Sequence, residues 1–221
     1  MKELNYKAVI LDMDGTILDT ITDIAVSVNY ALEKNGFPLH NISEYKTFIG
    51  NGARNLVLAA LPQDKRDDGT LEKVLKDYSE YYATHSNVFT EPYPKIKETL
   101  LELKGAGVKL AVFSNKPHKA TQKLAELYFE GIFDAVYGAR DGYPIKPDPA
   151  VVFEIAEEFG VSVEECAYIG DMCVDMKTGK SSGAYTIGAE WGFGDKEGLL
   201  ENGADVILDS ISEICDIVIK G

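Results

Sequence analysis

A train of short apolar runs, mostly separated by stretches patterned as helix, is what most restricts the fold of this chain. The runs cover residues 6–11, 109–114, 135–137, 166–170, 185–188 and 205–208. The first holds Ala8-Val9-Ile10-Leu11 without polar alternation and is stopped by acids, as suits a central parallel strand covered on both faces. Between the runs, Ile96, Leu100 and Leu103 mark one helical stripe, with Pro94 near its start and Gly105 or Gly107 past its end. Val152, Ile155, Ala156 and Phe159 mark another, with Asp148 expected as its N-cap and Gly160 as its stop. Strands alternating with helices predict an α/β fold built on a doubly wound parallel sheet, a Rossmann-like core.

One interval breaks that rhythm. Between the first and second runs the chain reads as helix with no convincing strand, over a length far beyond an ordinary strand-to-helix connection. Ile21, Ile24, Ala25, Val28, Ala31 and Leu32 follow helical spacing closed by Asn35-Gly36, and Leu71, Val74, Leu75, Tyr78, Tyr81 and Tyr82 repeat it. The expectation is a helical subdomain over residues 17–88, inserted into an α/β core of residues 1–16 and 89–221. Its tyrosine-rich stripe reads as packing of that subdomain.

The chain has 221 residues, with 22 Lys and Arg against 36 Asp and Glu, a net charge of −14 and a pI near 4.6. Such an acidic surface argues against nucleic acid or an anionic membrane as partner. It leaves room for an anionic ligand, because a few cations or a metal can invert the field inside one cleft. Residues 1–7 lack the basic-then-apolar pattern of a signal peptide, and no apolar run is long enough to span a bilayer. Cys166, Cys173 and Cys215 have no metal-ligand spacing and read as thiols of a reducing cytoplasm.

In open α/β sheets ligands sit beyond the carboxyl ends of the strands, so what each strand ends on is informative. The first ends on Asp12-Met13-Asp14-Gly15-Thr16 and the second on Ser114-Asn115-Lys116. Lys146 follows the third, in Ile145-Lys146-Pro147-Asp148, and the fourth ends on Gly170-Asp171 with Asp175 four residues on. Singly these are weak signals: Asp-x-Asp arises by chance in acidic proteins, and a Ser after a strand is often a helix cap. Together they deliver carboxylates, a hydroxyl and an ammonium to one crevice. Oxygen ligands of this kind suit Mg²⁺, and a phosphoryl group would find donors in Ser114, Lys146 and free backbone N–H groups. The same acids without a metal would repel one another at a cost of several kcal/mol.

These four motifs, in this order, resemble those of the haloacid dehalogenase superfamily, and the helical insertion after the first resembles its small helical-cap branch. Within that branch residues 12–20, Ser114-Asn115-Lys116-Pro117, Lys146-Pro147-Asp148-Pro149 and Trp191-Gly192 look most like phosphoglycolate phosphatase-type enzymes. The resemblance implies a Mg²⁺-dependent phosphatase acting on a small phosphorylated metabolite. Asp12 would be the nucleophile that forms an aspartyl-phosphate, and Asp14 the general acid and then base. Mg²⁺ would be held by the carboxylates of Asp12 and Asp171 and the backbone carbonyl of Asp14, with Asp175 bound directly or through water. Ser114 and Lys146 would hold phosphoryl oxygens, with Asn115 beside them. Gly15 would allow the turn that brings Asp14 back over the site.

Two positions depart from the family pattern. Met172 stands where a small polar residue is common, which removes a hydrogen bond to Asp171 or the metal. Gly179-Lys180-Ser181-Ser182-Gly183 replaces small apolar residues, with a local effect on helix packing expected. In the insertion, Ile49-Gly50-Asn51-Gly52-Ala53-Arg54 matches the specificity loop of relatives. There a helix start and Arg54 would receive a carboxylate such as that of 2-phosphoglycolate. Lys116 is a weaker candidate, and His40, His85 and His118 are assigned to the surface.

Three other readings share some of these features. A β-phosphoglucomutase-like mutase reuses the phospho-aspartate, but such relatives usually carry a β-branched apolar residue where Thr16 stands. A pyrophosphatase would use the same scaffold. A receiver-type signalling domain also joins acids, a phosphorylatable Asp, a hydroxyl and a Lys, but is much shorter and lacks the insertion. Either a monomer or a homodimer is compatible with the sequence.

Overall fold

The computed structural model describes residues 5–219, so the reading of residues 1–7 falls partly outside the described residues. In chain order the strands are β1 (Ala8–Leu11), β2 (Leu18–Asp19), β3 (Glu91–Pro92), β4 (Lys109–Pro117), β5 (Ala135–Ala139), β6 (Cys166–Gly170), β7 (Tyr185–Ala189) and β8 (Val206–Leu208). The helices are α1 (Ile21–Lys34), α2 (Gly52–Ala60), α3 (Asp68–His85), α4 (Ile96–Gly105), α5 (His118–Phe129), α6 (Ala150–Phe159), α7 (Cys173–Ser182), α8 (Lys196–Glu201) and α9 (Ile214–Val218). The chain forms two compact units: Met1–Leu18 with Pro92–Gly221, and Asp19–Glu91.

The first unit is built on a six-stranded sheet in the order β5-β4-β1-β6-β7-β8, with each neighbouring pair parallel. Alternation along each strand feeds two separate cores. Val9, Leu11, Leu110, Val112, Ala167 and Ile169 point to one face and pack with residues of α4, α5 and α9. Ala8, Ile10, Ala111, Phe113, Cys166 and Tyr168 point to the other and pack with Val151, Val152, Ile155 and Ala156 of α6. Both faces are therefore covered, which is why these strands read as unbroken apolar runs. The chain winds from β1 outward through β4 to β5, then returns to β1's other side as β6. The switch in winding direction lies between β1 and its neighbours, where such sheets open a ligand crevice.

One local reading is corrected. Pro149, not Asp148, is the N-cap of α6; Asp148 still contributes, its Oδ1 accepting the Ala150 N–H at 2.9 Å. Pro fits an N-terminal position because it has no N–H to satisfy. Met172 does not leave Asp171 short of hydrogen bonds, since two other groups donate to that carboxylate. At Gly179 the packing has a clear cause: a Cβ there would lie 2.5 Å from Thr186 Oγ1, so the glycine lets α7 sit against β7.

In the second unit α1 and α3 bury Ile24, Val28, Leu71, Val74, Tyr78 and Tyr82. Tyr81 is only half-buried, stacked between Tyr30 and His85. Asp23, buried on α1, accepts hydrogen bonds from the backbone N–H groups of Val88, Phe89 and Thr90 and from the Thr90 hydroxyl. The histidines, assigned to the surface, are half-buried there. His40 Nε2 pairs with the Ala60 carbonyl at 2.8 Å while its ring lies edge-on to Tyr45 and Phe48. His118 Nδ1 accepts the Gly138 N–H, and burial, then Arg140, pushes its pKa down. An imidazole combines an apolar body with a polar tip, so one local partner suffices to draw it in.

Candidate active site

Four strand ends of the first unit build the site. β1 stops at Leu11, and the next residues turn sharply: the N–H groups of Thr16, Ile17 and Leu18 all point to the Met13 carbonyl. Gly15 sits in that turn at φ +86°, and a Cβ on it would lie 2.2 Å from Asp171 Oδ2. The glycine is needed both for its left-handed backbone and for the close approach of Asp171.

On β4 the regular pairing with β5 breaks between Phe113 and Pro117. Such an irregularity re-aims side chains that alternation would send to opposite faces. Ser114, Asn115 and Lys116 are consecutive and all buried. Asn115 spans to the loop after β5: its Nδ2 donates to the Lys146 carbonyl at 3.1 Å and its Oδ1 accepts the Lys146 N–H at 2.8 Å. Expected among the phosphate-binding residues, Asn115 thus fixes the backbone that carries Lys146. Ser114 Oγ accepts the Lys116 N–H at 3.3 Å.

Lys146 is buried, with its ammonium 2.8 Å from Asp12 Oδ1 and 2.7 Å from Asp175 Oδ1. Burial works against its charge, but Asp12 and Asp175 outweigh it and hold the pKa well above the usual lysine range. Asp175, in the first turn of α7, also accepts the Met172 N–H and the Tyr168 hydroxyl. Asp171 is held by the Thr16 hydroxyl at 2.7 Å and the Phe193 N–H at 2.9 Å. The loop Trp191-Gly192-Phe193-Gly194 wraps it so closely that a Cβ on Gly192 or Gly194 would fall 2.2 Å from Asp171 atoms. Trp191 Nε1 donates to the Thr16 carbonyl, closing the ring of contacts. Asp14 faces Lys116, whose ammonium lies 2.8 and 2.9 Å from its two oxygens.

Oxygens of Asp12, Asp171 and Asp175 all lie within 4.8 Å of one another, and the three residues are buried. Burial first, then the neighbouring carboxylate of Asp175, pushes Asp12 up to about 7 even though Lys146 opposes it. Burial, Asp175 and Asp12 push Asp171 well above the carboxylate range. Four carboxylates thus face two ammonium groups, Lys116 and Lys146, which leaves a formal deficit equal to one divalent cation. An all-oxygen donor set with this deficit fits a hard divalent metal such as Mg²⁺.

The structure therefore brings Asp12, Asp171, Asp175 and Lys146 together, with Asn115 behind Lys146. Arg54 lies in the second unit, in the first turn of α2, where its guanidinium is bonded to Glu72 and, at 3.1 Å, to Asp68 of α3. Sequence reasoning passed over Thr16, Tyr168 and Phe193 as partners of the buried acids; Lys116, a weaker candidate there, is found against Asp14. The two glycines flanking Phe193 were the visible signal, since alternate glycines after a strand mark close backbone approach.

Comparison with known proteins agrees with this architecture. The family model described as haloacid dehalogenase-like hydrolase matches residues 9–189. Similar proteins include the phosphoglycolate phosphatase of Vibrio parahaemolyticus, 30% identical and aligned over 99% of this chain and 98% of that one. That of Neisseria meningitidis is 32% identical over 95% of this chain and 92% of its own. A crystal structure from Lactobacillus delbrueckii subsp. bulgaricus has a TM-score of 0.92 and 34% identity, with 100% of both chains covered. A family match that runs from β1 through β7, and so through every strand end of the site, means that the chain belongs to the haloacid dehalogenase-like hydrolases.

Proposed function

We propose that this phosphatase is Mg²⁺-dependent and transfers the phosphoryl group of a small phosphomonoester to water through a phospho-Asp12 intermediate. The observation that carries the reading is the buried cluster of Asp12, Asp171 and Asp175 with Lys146 against it. Asp12 attacks phosphorus, and the bond to the leaving oxygen breaks as Asp14 protonates that oxygen. Water then attacks the acyl phosphate, gives its proton to Asp14, and frees Asp12 and inorganic phosphate. Lys146 and Ser114 hold phosphoryl oxygens, while Asn115 keeps Lys146 in place. Asp12, Asp171, Asp175 and the Asp14 carbonyl would hold Mg²⁺. When bound, the ion supplies charge neutralisation for the in-line transition state.

The substrate we favour is 2-phosphoglycolate, on the strength of the relatives named above. The unit Asp19–Glu91 would serve as the cap that selects the leaving group. Arg54 would take the substrate carboxylate by exchanging Asp68 and Glu72 for it. The acidic surface supports a protein that works away from nucleic acid and anionic membranes, and the reading we adopt for it is a cytoplasmic monomer or homodimer. Among the described residues no helix is long and apolar enough to cross a membrane.

Phosphate release from a panel of metabolite esters, with and without Mg²⁺, tests the reading. Release from 2-phosphoglycolate should require Mg²⁺ and fall by more than about 10³-fold in Asp12→Asn, as for loss of a nucleophile. Undiminished turnover by that variant, after checking for deamidation back to Asp, would sink the mechanism. Arg54→Ala should lose activity on 2-phosphoglycolate but not on an ester without a carboxylate; equal activity on both would remove Arg54 from the site.

A further inference from the structure

Among the described residues the buried lysines are Lys146 and Lys116, and the roles given above leave Lys116 without a task. Its side chain is 3% exposed, and its ammonium meets both oxygens of Asp14 at 2.8 and 2.9 Å. Removing a lysine from water costs several kcal/mol unless a charge partner returns it, so the pair is a committed contact. The two ends of this contact sit on different strand ends. Lys116 lies on β4 with its N–H bonded to Ser114 Oγ and its carbonyl accepting the Thr121 hydroxyl. Asp14 lies in the turn after β1. The ammonium carried by β4 thus holds the Asp14 carboxylate through both of its oxygens.

An ammonium that meets both oxygens of a carboxyl group fixes the direction in which that group points. The two half-reactions ask different things of Asp14. Formation of phospho-Asp12 needs it to give a proton, and only when the leaving group is a poor one. Hydrolysis of phospho-Asp12 needs it to take a proton from water with every substrate. Resting on the phosphatase reading above, we propose that Lys116 is a positioning residue for the second half-reaction. It aims the Asp14 carboxylate at the water that attacks phospho-Asp12. In that step the water oxygen bonds to phosphorus, its proton passes to Asp14, and the bond between phosphorus and the Asp12 oxygen breaks.

Rapid mixing of the Mg²⁺-loaded protein with 4-nitrophenyl phosphate separates the steps, because nitrophenolate leaves without a proton from Asp14. Lys116→Met should release one equivalent of nitrophenolate per chain at near the wild-type rate. Its steady state should then be roughly 10²-fold slower, the size of effect a misplaced reacting group produces. Intact-protein mass spectrometry of the quenched variant should show one added phosphoryl group. Lys116→Arg, which keeps a cation, should recover part of the steady state, and Asp14→Asn should show the same burst and trapped mass.

If Lys116→Met slows burst and steady state alike, Lys116 binds phosphate or supports the fold, and the proposal is wrong. An unchanged steady state would also overturn it. Lys116→Gln gives the same two readings should the Met variant not fold. Wild-type protein inactive on the ester with Mg²⁺ would instead count against the phosphatase reading itself.

Discussion

At the scale of single residues, the site is decided by how tightly neighbours approach Asp171. Gly15, Gly192 and Gly194 each leave space that a Cβ would take from its atoms. Thr16 and the Phe193 N–H then fix its two oxygens. Gly15→Ala should force either the turn or Asp171 to move. The left-handed backbone alone would cost about 1–3 kcal/mol. Loss of orientation of one ligand should weaken Mg²⁺ binding by roughly 10–100-fold. Thermal melts in EDTA read the first effect and calorimetric titration with Mg²⁺ the second; an alanine variant that binds Mg²⁺ as wild type does would show that Asp171 is not held through Gly15. The acids were legible because Asp12 and Asp171 directly follow β1 and β6, with Asp14 and Asp175 close behind, and strand ends have a known place in such sheets. Their supports were not. Thr16 bonds Asp171 across 155 positions and Lys116 bonds Asp14 across 102, and contacts of that span leave no periodic trace in a sequence.

Among the elements, long runs with a strong pattern were read well and short ones were missed. Residues 166–170 were read as the strand found as β6, and α1 ends at Asn35-Gly36 as its sequence indicated. β2 and β3 have two residues each, too few for any alternation to register. β4 runs three residues past its expected end, because apolar patterning stops where the site begins at Ser114. The Asp23 contact was equally invisible, although it ties α1 to a segment more than sixty positions away. Three N–H groups and a hydroxyl converge on that one carboxylate, which is 2% exposed. Asp23→Ala should remove the acceptor those donors share and cost about 3 kcal/mol. Urea titration followed by circular dichroism should show a lower midpoint. A change of less than about 0.5 kcal/mol, the ordinary range for a surface position, would mean that water replaces the carboxylate without loss.

Across the whole molecule, the stability of the metal-free protein is tied to pH through the acids it buries. A carboxyl whose pKa rises on folding favours the protonated native form. Its effect on stability is most favourable below the unfolded pKa and is lost as pH rises through the folded one. Asp12, raised to about 7 by burial and Asp175, titrates in the window between the ordinary aspartate value and neutrality; Asp171, also pushed up by burial and by Asp175 and Asp12, acts in the same direction. The metal-free protein should therefore melt at a lower temperature at pH 8 than at pH 5.5. A divalent cation held there, as proposed, would take the ionised acids and release their protons, so its stabilising effect should grow over the same interval. The net charge of −14 acts in the same direction, since self-repulsion grows as more acids ionise. Melts in EDTA and in excess Mg²⁺, at fixed ionic strength across this pH range, separate the two contributions. Self-repulsion spread over the surface responds to added salt through screening, whereas the buried cluster responds chiefly to the specific cation. A Mg²⁺-induced rise in Tm that is larger at pH 5.5 than at pH 8, or that sodium chloride reproduces, would mean that the buried acids are not the cation's ligands.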